Sequence, residues 1–232
     1  MHFWQLTDVE IDALKLSLQV SLWAVAISLP LGIFIAWILA RKNFPGKNIL
    51  DGIIHLPLVI PPVVTGYLLL IILGRNGFIG ALLYKYTGII LTFNWKGAVL
   101  AAAVMAFPLL VRSVRLSIEG VDQGLEAAAN TLGAGPLRVF FTVTLPLIIP
   151  GILTGIILAF ARSLGEFGAT ITFVSNIQGE TQTIPLALYT FTQVPNGEIG
   201  AMRLCILSII IAMAALLCSE ITSRRFSARL KG

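Results

Sequence analysis

The chain has 232 residues, of which 57% are hydrophobic and only 12% are charged, with a formal net charge of +5. Soluble domains carry about 25% charged residues, so this composition excludes an ordinary soluble domain and indicates one integral membrane domain. The positive charge is not gathered into a basic face interleaved with aromatic residues, so it does not indicate nucleic-acid binding. With only His2 and His55 as histidines, the sequence offers no cluster of metal ligands.

The first twelve residues are polar and slightly acidic, and they lack the positive region and small-residue cleavage site of a signal peptide. The apolar run that follows is also too long for such a signal, so we expect it to be retained. Two cysteines, Cys205 and Cys218, lie in the last apolar run, where we expect both to be small core residues.

Five stretches are long and apolar enough to cross about 30 Å of hydrocarbon. They cover about residues 16–40, 53–73, 95–113, 145–161 and 201–220. The sequence therefore predicts an all-α membrane protein with five spans, in which residues 1–232 form a single transmembrane domain.

Lysine and arginine residues are concentrated on one side of these predicted spans. Ten of them lie in the first connection, the third connection and the C-terminal tail: Arg41, Lys42, Lys47, Arg112, Arg115, Arg138, Arg224, Arg225, Arg229 and Lys231. The other side has six, spread over more residues. The positive-inside rule then places the N-terminus outside and the C-terminus in the cytoplasm.

Three prolines stand out in the second predicted span: Pro57, Pro61 and Pro62. Each removes a backbone donor and kinks a helix. Within a bilayer, the freed carbonyls need neighbouring groups or a water-filled cavity. Two interpretations stay open, a helix broken beside a translocation pathway and a packed helix that is merely bent.

The connection between the third and fourth spans is polar, yet its pattern is that of an ordered segment. Asp122 is placed to cap a helix over 123–132. Gly133 and Gly135 are suited to end that helix, since glycine tolerates positive φ. Pro136 fits the first position of a second helix. The segment is therefore a membrane-surface connector or a cytoplasmic docking element, with Leu125, Ala128 and Leu132 on one helical face.

The fourth span carries small residues at Gly151, Gly155 and Ala159, a spacing that permits close helix packing or a subunit contact. Arg162 and Glu166 follow one turn apart and are expected to pair. Their pair is either an interfacial salt bridge that fixes the helix end or a part of an outer vestibule. Beyond it, residues 183–194 are expected to form a short interfacial helix, as a docking surface for an external partner or as a plug against the bundle.

Several chemistries are absent from the sequence. It contains no phosphate-binding Gly-x-x-x-x-Gly-Lys-Ser/Thr loop, no Gly-x-Ser-x-Gly elbow and no His-Glu-x-x-His motif. No acidic residue lies in the middle of a predicted span, so ion-coupled transport is disfavoured. A pump of this composition would take its energy from another subunit, through a cytoplasmic surface that receives movement.

The cytoplasmic segment 122–136 resembles the EAA loop of ABC importer permeases, on the residues Glu126-Ala127-Ala128, Gly133 and Leu145-Pro146. In that family the segment is the coupling helix, which seats in a groove of the ATPase subunit. The resemblance implies that Leu125, Ala128 and Leu132 fill the groove, that Glu126 makes a polar contact at its rim and that Gly133 allows the turn.

Longer stretches resemble the molybdate branch of these permeases: Phe44–Lys47, Leu56–Val64, Arg138–Thr142, Ala161–Thr170, Phe173–Ile177 and Gly179–Thr181. Sulfate permeases share part of this pattern, so sulfate or tungstate is the alternative substrate. The resemblance implies a MetI-like fold in the bacterial inner membrane and a homodimer with the pathway along its two-fold axis. It also implies two ATPase subunits, which hold ATP and Mg²⁺, and an external oxyanion-binding protein. The chain itself is expected to have no enzymatic activity and no cofactor.

Candidate pathway residues come from the proline-rich second span and from the stretch after the fourth span. They are Pro57, Pro61, Pro62, Ser163, Gly165, Glu166, Gly168, Thr170 and Thr172. A dianion crossing the membrane requires several weak contacts and no tight cationic site. The rival hypothesis from another class is a self-sufficient channel or ion-coupled carrier.

Overall fold

Helices account for nearly all of the secondary structure in the computed structural model, which describes residues 5–231, and no strand occurs in that range. The helices are α1 (Asp8–Arg41), α2 (Lys47–Val59), α3 (Pro62–Leu73), α4 (Phe78–Thr87), α5 (Trp95–Glu119), α6 (Gln123–Thr131), α7 (Pro136–Val139), α8 (Leu145–Leu164), α9 (Gly168–Val174), α10 (Ile184–Gln193) and α11 (Glu198–Lys231), with a π-helical turn at Phe140–Thr144. Side chains at 219, 220 and 222–231 lie outside the described residues. The tail cations used to predict orientation fall among them.

Helix α1 begins eight residues before the predicted span. Thr7 caps it, because its hydroxyl accepts the N–H of Glu10 while the Glu10 carboxylate accepts the N–H of Thr7. This reciprocal pair is a capping box, whose Thr-x-x-Glu spacing is visible in the sequence. The apolar stretch alone therefore underestimates the helix, because hydropathy does not register a polar first turn.

The second predicted span, 53–73, is not one helix. Helices α2 and α3 meet at Ile60 and Pro61 with a bend of 117°. Pro61 and Pro62 have no N–H to continue the hydrogen bonding of α2, and Pro62 instead takes the first position of α3. The interpretation as a single bent helix is thus wrong. The pair forms a broken span or a re-entrant segment.

Helices α1, α5 and α8 form the central bundle. Their buried contacts include Leu39, Leu110 and Ile148, which are fully covered. Gly151 and Gly155 of α8 lie very close to α5. A Cβ added at Gly151 would fall 2.2 Å from Ser117 Cβ, and one added at Gly155 would fall 2.9 Å from Leu110 Cδ1. The small residues of the fourth span therefore serve packing inside the chain, which decides between the two alternatives left by the sequence.

The outer helices attach to this bundle in two places. Helix α9 packs between α3 and α5, and α10 packs against α1 and α11. The hydroxyl of Ser17 accepts the N–H of Ile184 at 2.7 Å, and Arg203 Nε donates to Glu10 Oε1 at 2.8 Å. The helix predicted over 183–194 is present as α10, whose buried residues include Ile184, Leu186 and Ala187, and its place at the membrane interface stays a prediction.

Among the described residues, four helical stretches are long and apolar enough to cross a membrane: Asp8–Arg41, Trp95–Glu119, Pro136–Leu164 and Glu198–Cys218. The α2–α3 pair brings the number to five if it counts as one span. Of the 18 most apolar consecutive residues of α11, only 6% are buried within the chain. Cys205 and Cys218 are exposed on this helix, so the prediction that they are core residues is wrong.

Candidate coupling segment and pathway

The polar connection after α5 folds as a helix, a turn and a second helix. Asp122 caps α6, because its Oδ1 accepts the N–H of Gly124 at 2.8 Å, and this confirms the predicted cap. Gly133 has φ of +83°, whereas Gly135 is extended with φ of −69°. Only Gly133 therefore requires the freedom of glycine at the turn. Pro136 takes the first position of α7, as predicted.

The apolar face of α6 points away from the chain. Leu125 is 49% exposed, Leu132 is 89% exposed, and Ala128 between them is exposed as well. Leu137 and Phe141, which follow α6 in the chain, are exposed as well and were not singled out from the sequence. Apolar side chains clustered on a short polar segment mark a surface that another molecule covers.

Glu126 faces the opposite way. Its Oε1 accepts Arg41 Nη2 at 3.1 Å and the hydroxyl of Thr144 at 2.6 Å. Oε1 is therefore committed within its own chain, while the side chain keeps 18% of its surface exposed, and the contact of Glu126 with a partner's groove stays a prediction. Sequence reasoning missed Arg41 as its partner, since the two residues lie 85 positions apart.

Leu145 and Pro146 are the first two residues of α8. Both are half-buried, and Leu145 packs against the central core. Pro146 supplies no N–H to the carbonyl of Thr142 and would clash with that carbonyl in a regular helix. The chain accommodates it with the π-helical turn, where the N–H of Leu145 bonds to the carbonyl of Phe140. The Leu-Pro pair therefore shapes the entry into α8.

The proline break and α9 are in direct contact. A Cβ on Gly168 would lie 2.8 Å from Pro62 Cβ, and one on Gly66 would lie 2.5 Å from the carbonyl oxygen of Ala169. Two glycines thus allow the backbones of α3 and α9 to touch. The structure brings together Pro61, Pro62 and Gly168 from the candidate set, while Pro57 lies on α2 across the bend.

Glu166 organises the turn between α8 and α9. Its Oε2 pairs with Arg162 Nη1, which confirms the predicted ion pair, and its Oε1 accepts the N–H of Ala169 at 2.8 Å. The same carboxylate therefore neutralises a cation and caps α9. It is buried, as are Ser163 and Thr170, and the hydroxyl of Thr172 donates to the carbonyl of Gly168. These side chains are covered within the single chain, and their place along a pathway stays a prediction.

Two cavities lie beside these elements. A largely apolar one of about 500 Å³ is bordered by Gly165, Phe167 and Tyr189, with α11 on its far side. A polar one of about 260 Å³ lies between α2 and α5. There Arg115 bridges Asp51 at 3.0 Å and Glu119 at 2.8 Å.

The sequence carried a signal for the polar cavity. Asp51 and His55, like Arg115 and Glu119, are spaced four residues apart on a helix, and His55 Nδ1 lies 3.1 Å from Asp51 Oδ1. The spacing could reveal each pair but not that the two pairs face each other. Within the described part of the chain, no three histidine, cysteine or acidic side chains gather as a metal site.

Comparison with known proteins supplies a family. Residues 28–231 match the family described as binding-protein-dependent transport system inner membrane component. The chain is 66% identical over 219 residues to the molybdenum transport system permease protein ModB of Escherichia coli (strain K12), covering 94% of this chain and 96% of that protein. It is 61% identical over 222 residues to ModB of Haemophilus influenzae, covering 96% and 97%.

A sulfate transporter subunit is similar at a lower level. The sulfate transport system permease protein CysW of Synechococcus elongatus is 40% identical over 175 residues, which cover 75% of this chain and 61% of that protein.

Solved structures share the fold. A bacterial ABC transporter involved in the import of alginate superposes with a TM-score of 0.76 at 20% identity, covering 95% of this chain and 80% of that one. The same type of transporter in complex with a periplasmic protein gives a TM-score of 0.75 at 20% identity, covering 94% and 80%. The MetNI methionine ABC transporter gives 0.69 at 16% identity, covering 96% of each chain. The predicted all-α, MetI-like fold class is thereby confirmed.

Proposed function

Because the chain belongs to the family of inner membrane components of binding-protein-dependent transport systems, we propose that it is the permease subunit of an ATP-driven molybdate importer. Molybdate is proposed as the substrate because the chain is 66% identical to a molybdenum transport permease over 94% of its length. ATP hydrolysis resides on a separate ATPase subunit, and an external binding protein delivers the tetrahedral oxyanion.

The exposed apolar face of α6 supports a role for segment 122–136 in energy coupling. Leu125, Ala128 and Leu132 together form a ridge that fits an apolar groove on an ATPase subunit, as the family resemblance implies. ATP binding closes the ATPase dimer and draws two such segments together. The connected spans then tilt, and the pathway changes from inward-open to outward-open.

The uncovered apolar surface of α11 supports a homodimer. The most apolar part of α11 is almost entirely unburied within one chain, and α2 and α3 also expose apolar side chains such as Leu56 and Tyr67. A second copy of the chain, related by a two-fold axis, covers part of these surfaces. The translocation pathway then runs along that axis, and lipid covers the remainder.

The contact between α3 and α9 supports a pathway beside the proline break. Ser163, Glu166 and Thr170 are buried at the end of α8, in the turn that follows and in α9, and α9 packs against α3, so opening the pathway requires α9 to move away from α3. Movement of this kind uncovers Gly168 and Thr172 together with Pro57, Pro61 and Pro62. The anion then meets several weak polar contacts in succession.

Cysteine substitution along residues 163–175, followed by accessibility labelling, tests the pathway. We expect labelling to change between the nucleotide-free and the ATP-bound transporter at residues that face α3. Uniform protection in both states would contradict this location.

Sulfate is the second candidate substrate, because a sulfate permease is 40% identical over three quarters of the chain. Uptake of molybdate by cells that express the whole transporter, in competition with tungstate and sulfate, separates the candidates. We expect tungstate to compete and sulfate to compete weakly. Equal competition by sulfate would instead assign the chain to a general oxyanion importer.

A further inference from the structure

We propose that Arg41 and Thr144 are positioning residues for energy coupling. They hold the carboxylate of Glu126 and thereby attach α6 to the end of α1 and to the start of α8. We call Arg41, Glu126 and Thr144 the Glu126 clamp. The proposal rests on the proposed function, since it assigns a role to the segment that receives movement from the ATPase.

The clamp has a defined geometry. Glu126 Oε1 accepts both Arg41 Nη2, at 3.1 Å, and the hydroxyl of Thr144, at 2.6 Å. The same Nη2 lies 3.3 Å from the carbonyl oxygen of Val121, just before α6 begins. One guanidinium therefore contacts the residue before the cap of α6 and an acidic side chain in its first turn.

Burial distinguishes this ion pair from an ordinary surface pair. The side chains of Arg41 and Glu126 are 11% and 18% exposed, and Thr144 is buried. A charge-assisted hydrogen bond is stronger when it is shielded from water, whereas exposed pairs contribute little. The Glu126 clamp is therefore suited to hold α6 in place when the ATPase subunit pushes on it.

Helix α6 needs such an attachment. It has nine residues and buries none of them fully, and short helices are marginal without tertiary contacts. Its apolar face points outward, and glycines flank it at Gly120 and Gly133. Without the clamp, we expect a force on that face to turn the helix about the connections at these glycines and leave the spans in place.

The two attachment points lead directly into the membrane domain. Arg41 is the last residue of α1, which packs along α5 and α8. Thr144 ends the π-helical turn that opens into the twenty residues of α8. A helix of this length spans about 30 Å, and it ends close to Glu166, which caps α9. The clamp thus links the ATPase-facing surface through α8 to the contact between α3 and α9.

The test uses the complete transporter in liposomes, with the permease, the ATPase subunit and the binding protein present. The quantity measured is the number of molybdate ions taken up per ATP hydrolysed. Thr144→Val removes the hydroxyl at constant size, and Thr144→Ser restores it. Thr142→Val is the matched control, because Thr142 lies in the same turn but is exposed and donates its hydroxyl only to the carbonyl of Arg138.

We expect Thr144→Val to lower molybdate uptake per ATP by about fivefold, as for the loss of one hydrogen bond. Arg41→Ala should lower it at least as much, because it removes the ion pair with Glu126 and the hydrogen bond to the carbonyl of Val121. Thr144→Ser and Thr142→Val should retain the original ratio. The amount of ATPase subunit that co-purifies should stay unchanged, since the apolar face of α6 is untouched. If the clamp had a purely structural role, its loss would lower both the amount of assembled transporter and the rate of ATP hydrolysis. The number of molybdate ions taken up per ATP would then be unchanged.

A charge exchange keeps the test decisive if the single variants assemble poorly. Arg41→Glu and Glu126→Arg should each reduce the uptake ratio, and the double variant should recover part of it. An unchanged ratio in Thr144→Val and Arg41→Ala, or additive losses in the double variant, would overturn the clamp alone. Failure of the unaltered transporter to take up molybdate would overturn the proposed function, and the clamp with it.

Discussion

The contribution of an ion pair to the stability of this chain depends on how deeply the pair is buried, as Glu10 shows. Glu10 is fully buried, caps α1 and accepts Arg203 Nε, so one carboxylate fixes the first helix and joins it to the last. Removing one partner of a buried ion pair leaves an uncompensated charge, and this costs more than the pair itself contributes.

Glu10→Ala is therefore expected to destabilise the protein by about 3 kcal/mol. Thermal unfolding of the purified protein in detergent measures the loss. Glu119→Ala is the matched control, because Glu119 pairs with Arg115 but is exposed at 40%, and such a pair contributes less than about 1 kcal/mol. Equal decreases of the unfolding temperature in the two variants would show that the Glu10 pair stabilises the protein no more than a surface pair does.

Gly168 provides a second prediction at this scale. Gly168→Ala should destabilise the protein by about 1–3 kcal/mol, because the added methyl group would overlap Pro62 and press on the backbone of Val63. Gly165→Ala is the control for stability, since a Cβ there would approach only the carbonyl oxygen of Ala161, at 3.8 Å. The same unfolding midpoint for both variants would contradict the close contact between α3 and α9.

At the scale of whole elements, local chemistry explains what the sequence could predict. Asp122 capped α6 where expected, prolines at 61 and 62 broke the second span, and Arg162 paired with Glu166 one turn away. Each of these features depends on residues within four positions of one another. Such features are readable from a single sequence.

Long-range contacts could not be predicted in the same way. The partner of Glu126 is 85 residues distant, and that of Glu10 is 193 residues distant. Nothing in the local pattern distinguishes Arg41 from the other cations of its connection. The direction of Glu126 also depends on how α6 rotates about its axis, which the packing of the π-helical turn decides. The sequence located the candidate site but not which face of it is free.

The exposed face of α6 leads to a prediction for the element itself. Ala128→Trp should lower both molybdate uptake and uptake-coupled ATP hydrolysis by at least about tenfold, because a large side chain blocks a groove that accepts the ridge. Membrane insertion should be unaffected, since Ala128 touches no buried core. Asn130→Trp is the control, because Asn130 is exposed and lies roughly opposite Ala128 on the helix. Normal coupled transport by Ala128→Trp would show that this face does not meet the ATPase.

Gly133→Pro tests the turn that follows. The φ of +83° at Gly133 is closed to proline, so this variant should lose coupled ATP hydrolysis while remaining in the membrane. Gly135→Ala is the milder comparison, since Gly135 has an ordinary extended backbone. Full activity in Gly133→Pro would mean that the orientation of α6 and α7 is unimportant for coupling.

At the scale of the whole molecule, the central bundle and the outer helices have different roles in the proposed cycle. Helices α1, α5 and α8 share a well-covered core, whereas α2, α3 and α11 expose apolar faces. The bundle is suited to carry movement from α6. The exposed helices are suited to meet a second copy of the chain and lipid, and the Glu126 clamp connects α6 to the bundle through α1 and the start of α8.

The central claim is that this chain imports molybdate only when a separate subunit supplies energy from ATP. The most direct measurement is uptake of radiolabelled molybdate into liposomes that contain the chain alone, or the chain with its ATPase subunit and binding protein. We predict uptake only in the complete system, only with ATP, and with tungstate as a stronger competitor than sulfate. Uptake by the chain alone without ATP would contradict the account and identify a channel or ion-coupled carrier.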